Sequence, residues 1–179
     1  MLKNILGVAA GLVAIAVGLG FVLPDKVVME RDIVINAPQA EVFALVADFN
    51  QWERWSPWAK LDPEAEMVVT GAGAGQTMRW SSDKPEVGSG SQTISVYEPP
   101  ARIKTHLEFG DMGQADAVMQ LEPVAEGTHV VWTFESNMRE GVPIWMKPVA
   151  TYMGYFMDGM LGPTYEQGLM SLKAAAEAA

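Results

Sequence analysis

The first 24 residues constrain this chain more than any other segment. From Ile5 to Leu23 no side chain is charged or strongly polar, and Pro24 ends the run. At about 1.5 Å per residue, a helix over this run is roughly 28 Å long, which is close to the hydrocarbon thickness of a bilayer. In lipid, only a helix satisfies the backbone hydrogen-bonding groups of such a segment. The sequence therefore predicts a transmembrane helix over residues 5–23.

Two other interpretations compete for this segment. A secretory signal peptide has a shorter apolar core, of roughly 7 to 15 residues, followed by a small-x-small cleavage site. Here the run Ala14-Ile15-Ala16 lies in the middle of the apolar stretch. The second alternative is a buried hydrophobic helix of a soluble domain, which we disfavour because the run has no polar face at any period. We therefore expect an uncleaved N-terminal anchor over residues 1–24.

The charges beside the anchor predict its orientation. Lys3 precedes the apolar run, whereas Asp25 and Lys26 cancel each other after it. The positive-inside rule then places the N-terminus in the cytoplasm. We expect a single-pass membrane protein whose remaining chain lies on the non-cytoplasmic side.

The composition of residues 25–179 excludes several kinds of site and partner. This part carries all 22 acidic residues and 11 of the 12 basic ones, a formal charge of −11. Such a surface repels phosphate backbones, so we expect no nucleic-acid partner. The chain has no cysteine, which excludes disulfides, a thiol nucleophile and Cys-ligated zinc. About 155 residues is the usual size of one domain with one core, so we predict a single domain over 25–179.

Hydrophobic periodicity predicts an α+β domain in residues 25–179. Lys26–Asn36 alternates as a half-buried strand, and Pro38 suits the first turn of a short helix that runs to Asp48. Six further segments, which Gly and Pro residues separate, have alternating apolar and polar residues. This pattern is typical of strands joined by short turns. The segments are 66–70, 76–81, 91–98, 102–109, 115–122 and 129–137. Consecutive strands with short connections predict an antiparallel meander.

The C-terminal part has the period of a helix. Trp145, Val149, Tyr152, Phe156 and Met160 follow a spacing of 4, 3, 4 and 4 residues. The face continues through Tyr165, Leu169 and Leu172, and Gly162-Pro163 should kink or interrupt the helix. An open antiparallel sheet with one apolar face needs a covering layer, so this helix should lie on the sheet.

The order of several short motifs resembles a known superfamily. The motifs are Ile35-Asn36-Ala37-Pro38 with Glu41-Val42-Phe43, Asp48 with Trp52, Trp55-Ser56-Pro57-Trp58, Asp62-Pro63, Gly73-Ala74-Gly75 with Trp80, Gly127-Thr128 with Trp132, and Glu166-Gln167-Gly168-Leu169 to Leu172-Lys173. In this order, over residues 27–176, the chain resembles the SRPBCC superfamily of START-like and polyketide cyclase/dehydrase-like proteins.

The resemblance implies a helix-grip fold, in which a curved antiparallel sheet of about seven strands surrounds a long C-terminal helix. It further implies an apolar cavity that binds a hydrophobic small molecule or lipid. Our leading hypothesis is a membrane-anchored binding protein for such a ligand, without a cofactor. The alternatives are a cyclase/dehydrase-like enzyme that uses the same cavity, and a structural or interaction module of the cell envelope. Whether the chain is an enzyme is left open.

The aromatic and methionine residues are the candidate ligand site. In a helix-grip fold the inner face of the long helix and the inner strand positions line the cavity. The predicted pocket residues are Trp55, Trp58, Trp80, Trp132, Met153, Phe156, Met157 and Met160. Methionine adapts its shape to irregular apolar partners, and a tryptophan N–H can orient a mostly apolar ligand. From pattern alone, a plain hydrophobic core explains the same residues.

The polar residues predict no catalytic group and no metal site. His106 and His129 lie on the polar faces of their strands, and no Gly-x-Ser-x-Gly motif marks a nucleophile. The glycine-rich run 71–75 leads into a strand, whereas a dinucleotide loop opens a helix. Strand alternation turns Arg79 and Glu135 outward and Trp80 and Trp132 inward.

Overall fold

The alternating segments of the chain form seven strands in the computed structural model, which describes residues 2–110 and 113–178. The strands are β1 (Lys26–Ile35), β2 (Glu66–Thr70), β3 (Thr77–Ser81), β4 (Ser89–Glu98), β5 (Arg102–Glu108), β6 (Gln114–Val124) and β7 (Gly127–Asn137). They form one antiparallel sheet in the order β1-β7-β6-β5-β4-β3-β2. The predicted meander of six strands is confirmed, and β1 extends it beside β7.

Five α-helices accompany the sheet. They are α1 (Leu2–Val22), α2 (Gln39–Val46), α3 (Pro57–Leu61), α4 (Lys147–Gly154) and α5 (Met157–Glu177). Helix α2 ends two residues before the predicted Asp48, because Asp48 begins a 3₁₀ turn instead. Its carboxylate accepts a hydrogen bond from the backbone N–H of Asn50 at 3.0 Å, which is the contact of an N-cap.

Strand alternation places the core between the sheet and α5. Along β7, Val130, Trp132 and Phe134 are buried, whereas the residues between them are partly exposed. The side chains of Leu169 and Leu172 on α5 belong to the same buried cluster. The architecture is therefore the α+β helix-grip arrangement, with a seven-stranded sheet packed on a C-terminal helix.

The C-terminal helix is interrupted earlier than the sequence predicts. The break falls at Tyr155–Phe156, between α4 and α5, and Pro163 lies inside α5. A proline inside a helix removes one hydrogen bond and strains the preceding turn. The guanidinium of Arg31 in β1 contacts Asp158 at 2.9 Å and Glu166 at 2.8 Å, and these two residues lie on either side of Pro163 in α5. These ion pairs connect β1 to α5 on both sides of Pro163, and α5 continues through the expected kink.

Helix α1 packs its C-terminal end on α4. The Tyr152 hydroxyl donates a hydrogen bond to the Ala16 carbonyl at 2.6 Å, and Gly20 lies directly against Pro148. The Arg139 guanidinium donates to the Gly20 and Leu23 carbonyls, which are left free where the helix ends.

Among the residues that the structure describes, no helix is both long and apolar enough to cross a membrane. The predicted transmembrane helix over residues 5–23 is thus not confirmed.

Candidate functional site

The inner face of the sheet forms one wall of a cavity. Alternation turns Met78 and Trp80 of β3, Leu107 of β5 and Phe134 of β7 toward the same side, and each of them lines the cavity. Short strand connections bring these residues together because consecutive strands are neighbours in the sheet. The wall is therefore almost entirely apolar.

Two helices and a loop close the other sides. Helix α3 contributes Trp58 and Ala59, and helix α5 contributes Leu161 and Tyr165. The loop before β4 contributes residues 85–88, of which Pro85 and Glu86 are exposed. The enclosed space is about 240 Å³. A cavity of this size would hold a small organic molecule, and its exposed rim lies along the loop.

The rim loop is fixed by a buried carboxylate. Asp62, at the end of α3, accepts a hydrogen bond from the Ser82 hydroxyl at 2.5 Å and pairs with Lys84 at 3.3 Å. The Ser82 hydrogen bond is the largest influence on the pKa of Asp62 and, together with Lys84, outweighs burial, so this pKa lies below its usual value of 3.8. On the other side of the loop, the Trp80 indole N–H donates to the Val87 carbonyl at 3.2 Å.

Tyr165 is the most unusual polar residue of the cavity wall. Its ring is 2% exposed and lies 4.0 Å from the ring of Trp132, measured between centroids. Burial raises the pKa of Tyr165 well above its ordinary value of 10.0, so the phenol stays protonated at neutral pH. No hydrogen bond to the phenol oxygen is found among the described residues.

The hydroxyl of Tyr165 is not completely enclosed. Within the described part of the chain, every completely enclosed side-chain nitrogen or oxygen has a hydrogen-bond partner. The phenol oxygen has none, so it keeps some accessible surface, and its side chain lines the cavity. A ligand oxygen or nitrogen in the cavity would take the place of water at this hydroxyl, for a net gain of about 0.5 to 1.5 kcal/mol.

Two further polar side chains reach the cavity. Gln92 of β4 is buried and donates from its amide nitrogen to the Thr105 hydroxyl at 2.9 Å, which leaves its amide oxygen as an acceptor. Ser56, just before α3, is also buried at the wall. The cavity thus combines a large apolar surface with three neutral polar groups, as small-molecule sites do.

The sequence of residues 26–177 matches the model of a family described as polyketide cyclase/dehydrase and lipid transport. The chain belongs to this polyketide cyclase/dehydrase and lipid transport family. The match covers the sheet and both C-terminal helices and begins after α1. Among curated proteins, no sequence matches the chain significantly.

Solved structures share the fold of this polyketide cyclase/dehydrase family member at low identity. The di-domain ARO/CYC StfQ from the steffimycin biosynthetic pathway is 12% identical, with a TM-score of 0.63 over 86% of this chain and 51% of that chain. A Staphylococcus aureus protein of unknown function is 10% identical, with a TM-score of 0.61 over 87% of this chain and 99% of that chain. A Rhizobium leguminosarum protein is 18% identical, with a TM-score of 0.59 over 86% of this chain and 96% of that chain. At such identities these likenesses show the fold alone.

The eight predicted pocket residues fall into four groups in this family member. Trp58 and Trp80 line the cavity. Trp55 and Trp132 are buried behind it, with ring centroids 5.6 Å apart, and Trp132 supports Tyr165. Met157 is half-buried against the core.

The other three predicted pocket residues lie outside the cavity. Met153, Phe156 and Met160 are exposed, because the break at residues 155–156 turns their side of the helix away from the sheet. The inner face of α5 begins instead with Leu161 and Tyr165. Their spacing of four residues, continued by Leu169, was the available sequence signal for this face.

The two histidines lie on the opposite side of the sheet from the cavity. The imidazole of His106 contacts Asp116 at 2.9 Å, and that of His129 contacts Asp32 at 2.8 Å. Burial raises the pKa of Asp116, but hydrogen bonds from Lys104 and His106 outweigh burial and hold it below its usual value. These are pairs between neighbouring strands of the outer face.

Proposed function

We propose that this protein binds a hydrophobic or lipid-like small molecule in the cavity between the sheet and α5. The observation that carries the proposal is a mostly apolar cavity of about 240 Å³ whose wall includes Tyr165, a side chain without a hydrogen-bond partner at its hydroxyl among the described residues. A self-filled structural core would not leave such a space. Membership of a family whose description includes lipid transport agrees with this proposal.

The volume limits how much of the ligand is enclosed. A space of about 240 Å³ is slightly below the range of about 300 to 1,000 Å³ that is usual for small-molecule pockets. We infer that one ring or a short chain with an oxygen near Tyr165 is held inside. A longer molecule would leave its remaining part at the rim formed by residues 85–89.

The lining supports binding better than acid–base catalysis. Among the described lining residues, the ionisable side chains are Glu86 and Tyr165. Glu86 is exposed at the rim, and burial raises the pKa of Tyr165 far from neutrality. A general acid or base works best with a pKa near the operating pH. The cyclase/dehydrase alternative would therefore need its proton transfer from groups outside this wall.

We further propose that α1 holds the domain at a membrane, with the domain on the non-cytoplasmic side. The support is the absence of charge from Ile5 to Leu23 and the single basic residue, Lys3, before it. Membrane fractionation of cells that express the full chain tests the location. Protease protection of the domain in intact spheroplasts tests the side, because a domain outside the cytoplasm would be cleaved.

The binding proposal is tested by two variants on opposite sides of α5. Leu161→Trp places a bulky ring in the cavity wall, whereas Met170→Trp enlarges an exposed side chain that points about 180° away from Leu161 around the helix. Native mass spectrometry of the detergent-extracted full chain, followed by organic extraction, measures what co-purifies. We expect an apolar compound with the wild type and Met170→Trp, and its loss from Leu161→Trp.

Two outcomes contradict the binding proposal. One is a wild-type protein that purifies empty and also fails to bind added single-ring phenols. The other is a co-purifying compound that stays bound to a folded Leu161→Trp variant, because such a compound would occupy another site. Circular dichroism of each variant checks that it is folded.

A further inference from the structure

We propose that the exposed apolar stripe of residues 144–160 is a membrane-docking surface that lies on the bilayer beside α1. The stripe consists of Ile144, Trp145, Val149, Met153, Phe156 and Met160. The inference rests on the proposed membrane location and adds a second contact, which brings one wall of the cavity to the lipid.

The stripe has the pattern of a buried helix face but is not buried. Val149, Met153, Phe156 and Met160 follow helical spacing, which normally marks the side of a helix that faces the core. In the structure Phe156 is 69% exposed, and Trp145, just before α4, is 74% exposed. The contiguous exposure of large apolar side chains over two helices marks an interaction surface.

Charge distinguishes the stripe from the rest of the domain. From Gly141 to Met157 there is no acidic residue, and Lys147 is the single charged one. The remainder of residues 25–179 is strongly acidic. Asp158, the one acidic residue within 144–160, pairs with Arg31. The scarcity of acidic groups on this surface lowers the repulsion between it and anionic lipid head groups. Exposed Trp145 and Tyr155 are also the side-chain types that are enriched at the membrane–water interface.

The packing of α1 next to the stripe indicates that the stripe contacts a bilayer. Helix α1 packs on α4 through Gly20, and the other apolar side chains of α1 are exposed on opposite sides of the helix. At 100° per residue, Val13 and Val17 point away from Ile15 and Leu19, and all four are exposed. A second folded protein covers one side of a helix, whereas lipid covers all sides. The same lipid phase would cover the adjoining stripe.

The stripe ends at the cavity wall. Met160 is exposed on α5, and the next residue, Leu161, lines the cavity together with Tyr165 one turn later. A bilayer on the outer side of this turn would lie one helix diameter, about 10 Å, from the ligand space. An apolar ligand would then pass between lipid and cavity along a short path.

The absence of cysteine makes a direct test possible. Single-cysteine variants Phe156→Cys and Met160→Cys are labelled with an environment-sensitive fluorophore, in the full chain reconstituted into phosphatidylcholine vesicles. Leu12→Cys reports on α1, and Met170→Cys is the matched control, since Met170 and Met160 are both α5 methionines with 60% and 64% exposure. Lipids that carry a nitroxide on the acyl chain then quench any label in the bilayer.

We expect strong lipid quenching and a blue-shifted emission at positions 12, 156 and 160, and neither effect at position 170. Quenching at position 12 alone would overturn the docking surface and leave the membrane location intact. No quenching at any position would overturn both. Protection of positions 156 and 160 from aqueous iodide without lipid quenching would show a contact between protein copies, which also contradicts the proposal.

Discussion

Replacing Tyr165 by phenylalanine should change stability and ligand affinity in opposite directions. The substitution keeps the ring that stacks on Trp132 and removes only the hydroxyl that has no partner among the described residues. Because this hydroxyl has no partner in the described part of the protein, its removal should leave the free energy of unfolding unchanged or raise it by up to about 1 kcal/mol. For a bound ligand the same hydroxyl is a hydrogen-bond partner, so its loss should weaken binding.

The expected weakening of ligand binding follows from the net contribution of one hydrogen bond to the binding free energy. About 0.5 to 1.5 kcal/mol corresponds to about a 2- to 13-fold rise in Kd. The assay compares p-cresol with p-xylene, two single-ring probes of similar size that differ in one hydroxyl for a methyl group. In a double-mutant cycle, Tyr165→Phe should weaken p-cresol binding by this factor and leave p-xylene binding nearly unchanged.

Calorimetric titration gives the two affinities, and urea denaturation gives the stability. A loss of more than about 1 kcal/mol of stability on Tyr165→Phe would mean that the hydroxyl has a partner in the ligand-free protein. An equal effect on both probes would mean that the hydroxyl does not contact the ligand. Either result refutes the role that we assign to Tyr165.

Two further predictions concern the elements that shape the cavity. A Cβ added at Gly168 would lie 2.9 Å from the ring of Trp132, so Gly168→Ala should lower the free energy of unfolding by about 1 to 3 kcal/mol in urea denaturation. Gly159→Ala is its control on the same helix, because its Cβ meets nothing within 4 Å, and it should be neutral or stabilising by up to about 1 kcal/mol. For Asp62, the folded-state pKa is lowered mainly by Ser82, so its contribution to stability is present above the unfolded pKa and is lost as the pH falls through the folded one. Asp62→Asn should therefore lower stability at neutral pH and reduce the loss of stability on acidification below about pH 4.

Each of these predictions has a contradicting result. Equal stability of Gly168→Ala and Gly159→Ala would show that α5 can move away from the sheet without cost. An acid unfolding profile of Asp62→Asn that parallels the wild type would place the pH dependence in other carboxylates. Asp48 is one of these: burial raises its pKa, but hydrogen bonds from Gln76 and Asn50 outweigh burial and lower it.

Much of the fold was predictable because strands and helices leave local periodicities in the sequence. Alternation identified all seven strands to within two residues at every end, and it turned Trp80 and Trp132 toward the inner face, where the structure places them. The candidate site was less predictable. Trp58 and Trp80, two of the predicted residues, lie in the cavity wall. The role of Tyr165 was not predictable, since whether its hydroxyl has a hydrogen-bond partner depends on residues far away in the chain.

The sequence by itself determined the order of the elements, the inner and outer faces of the strands, and the uncharged character of residues 5–23. The tertiary structure decided which side of the C-terminal helical segment meets the sheet. Residues 145–160 and 161–172 both carry helical apolar stripes, but only the second is covered. Periodicity is set by hydrogen bonding within one element, whereas burial is set by which distant elements pack against that element. Helix α5 continues through Pro163, and the break at residues 155–156 leaves Phe156 outside the cavity.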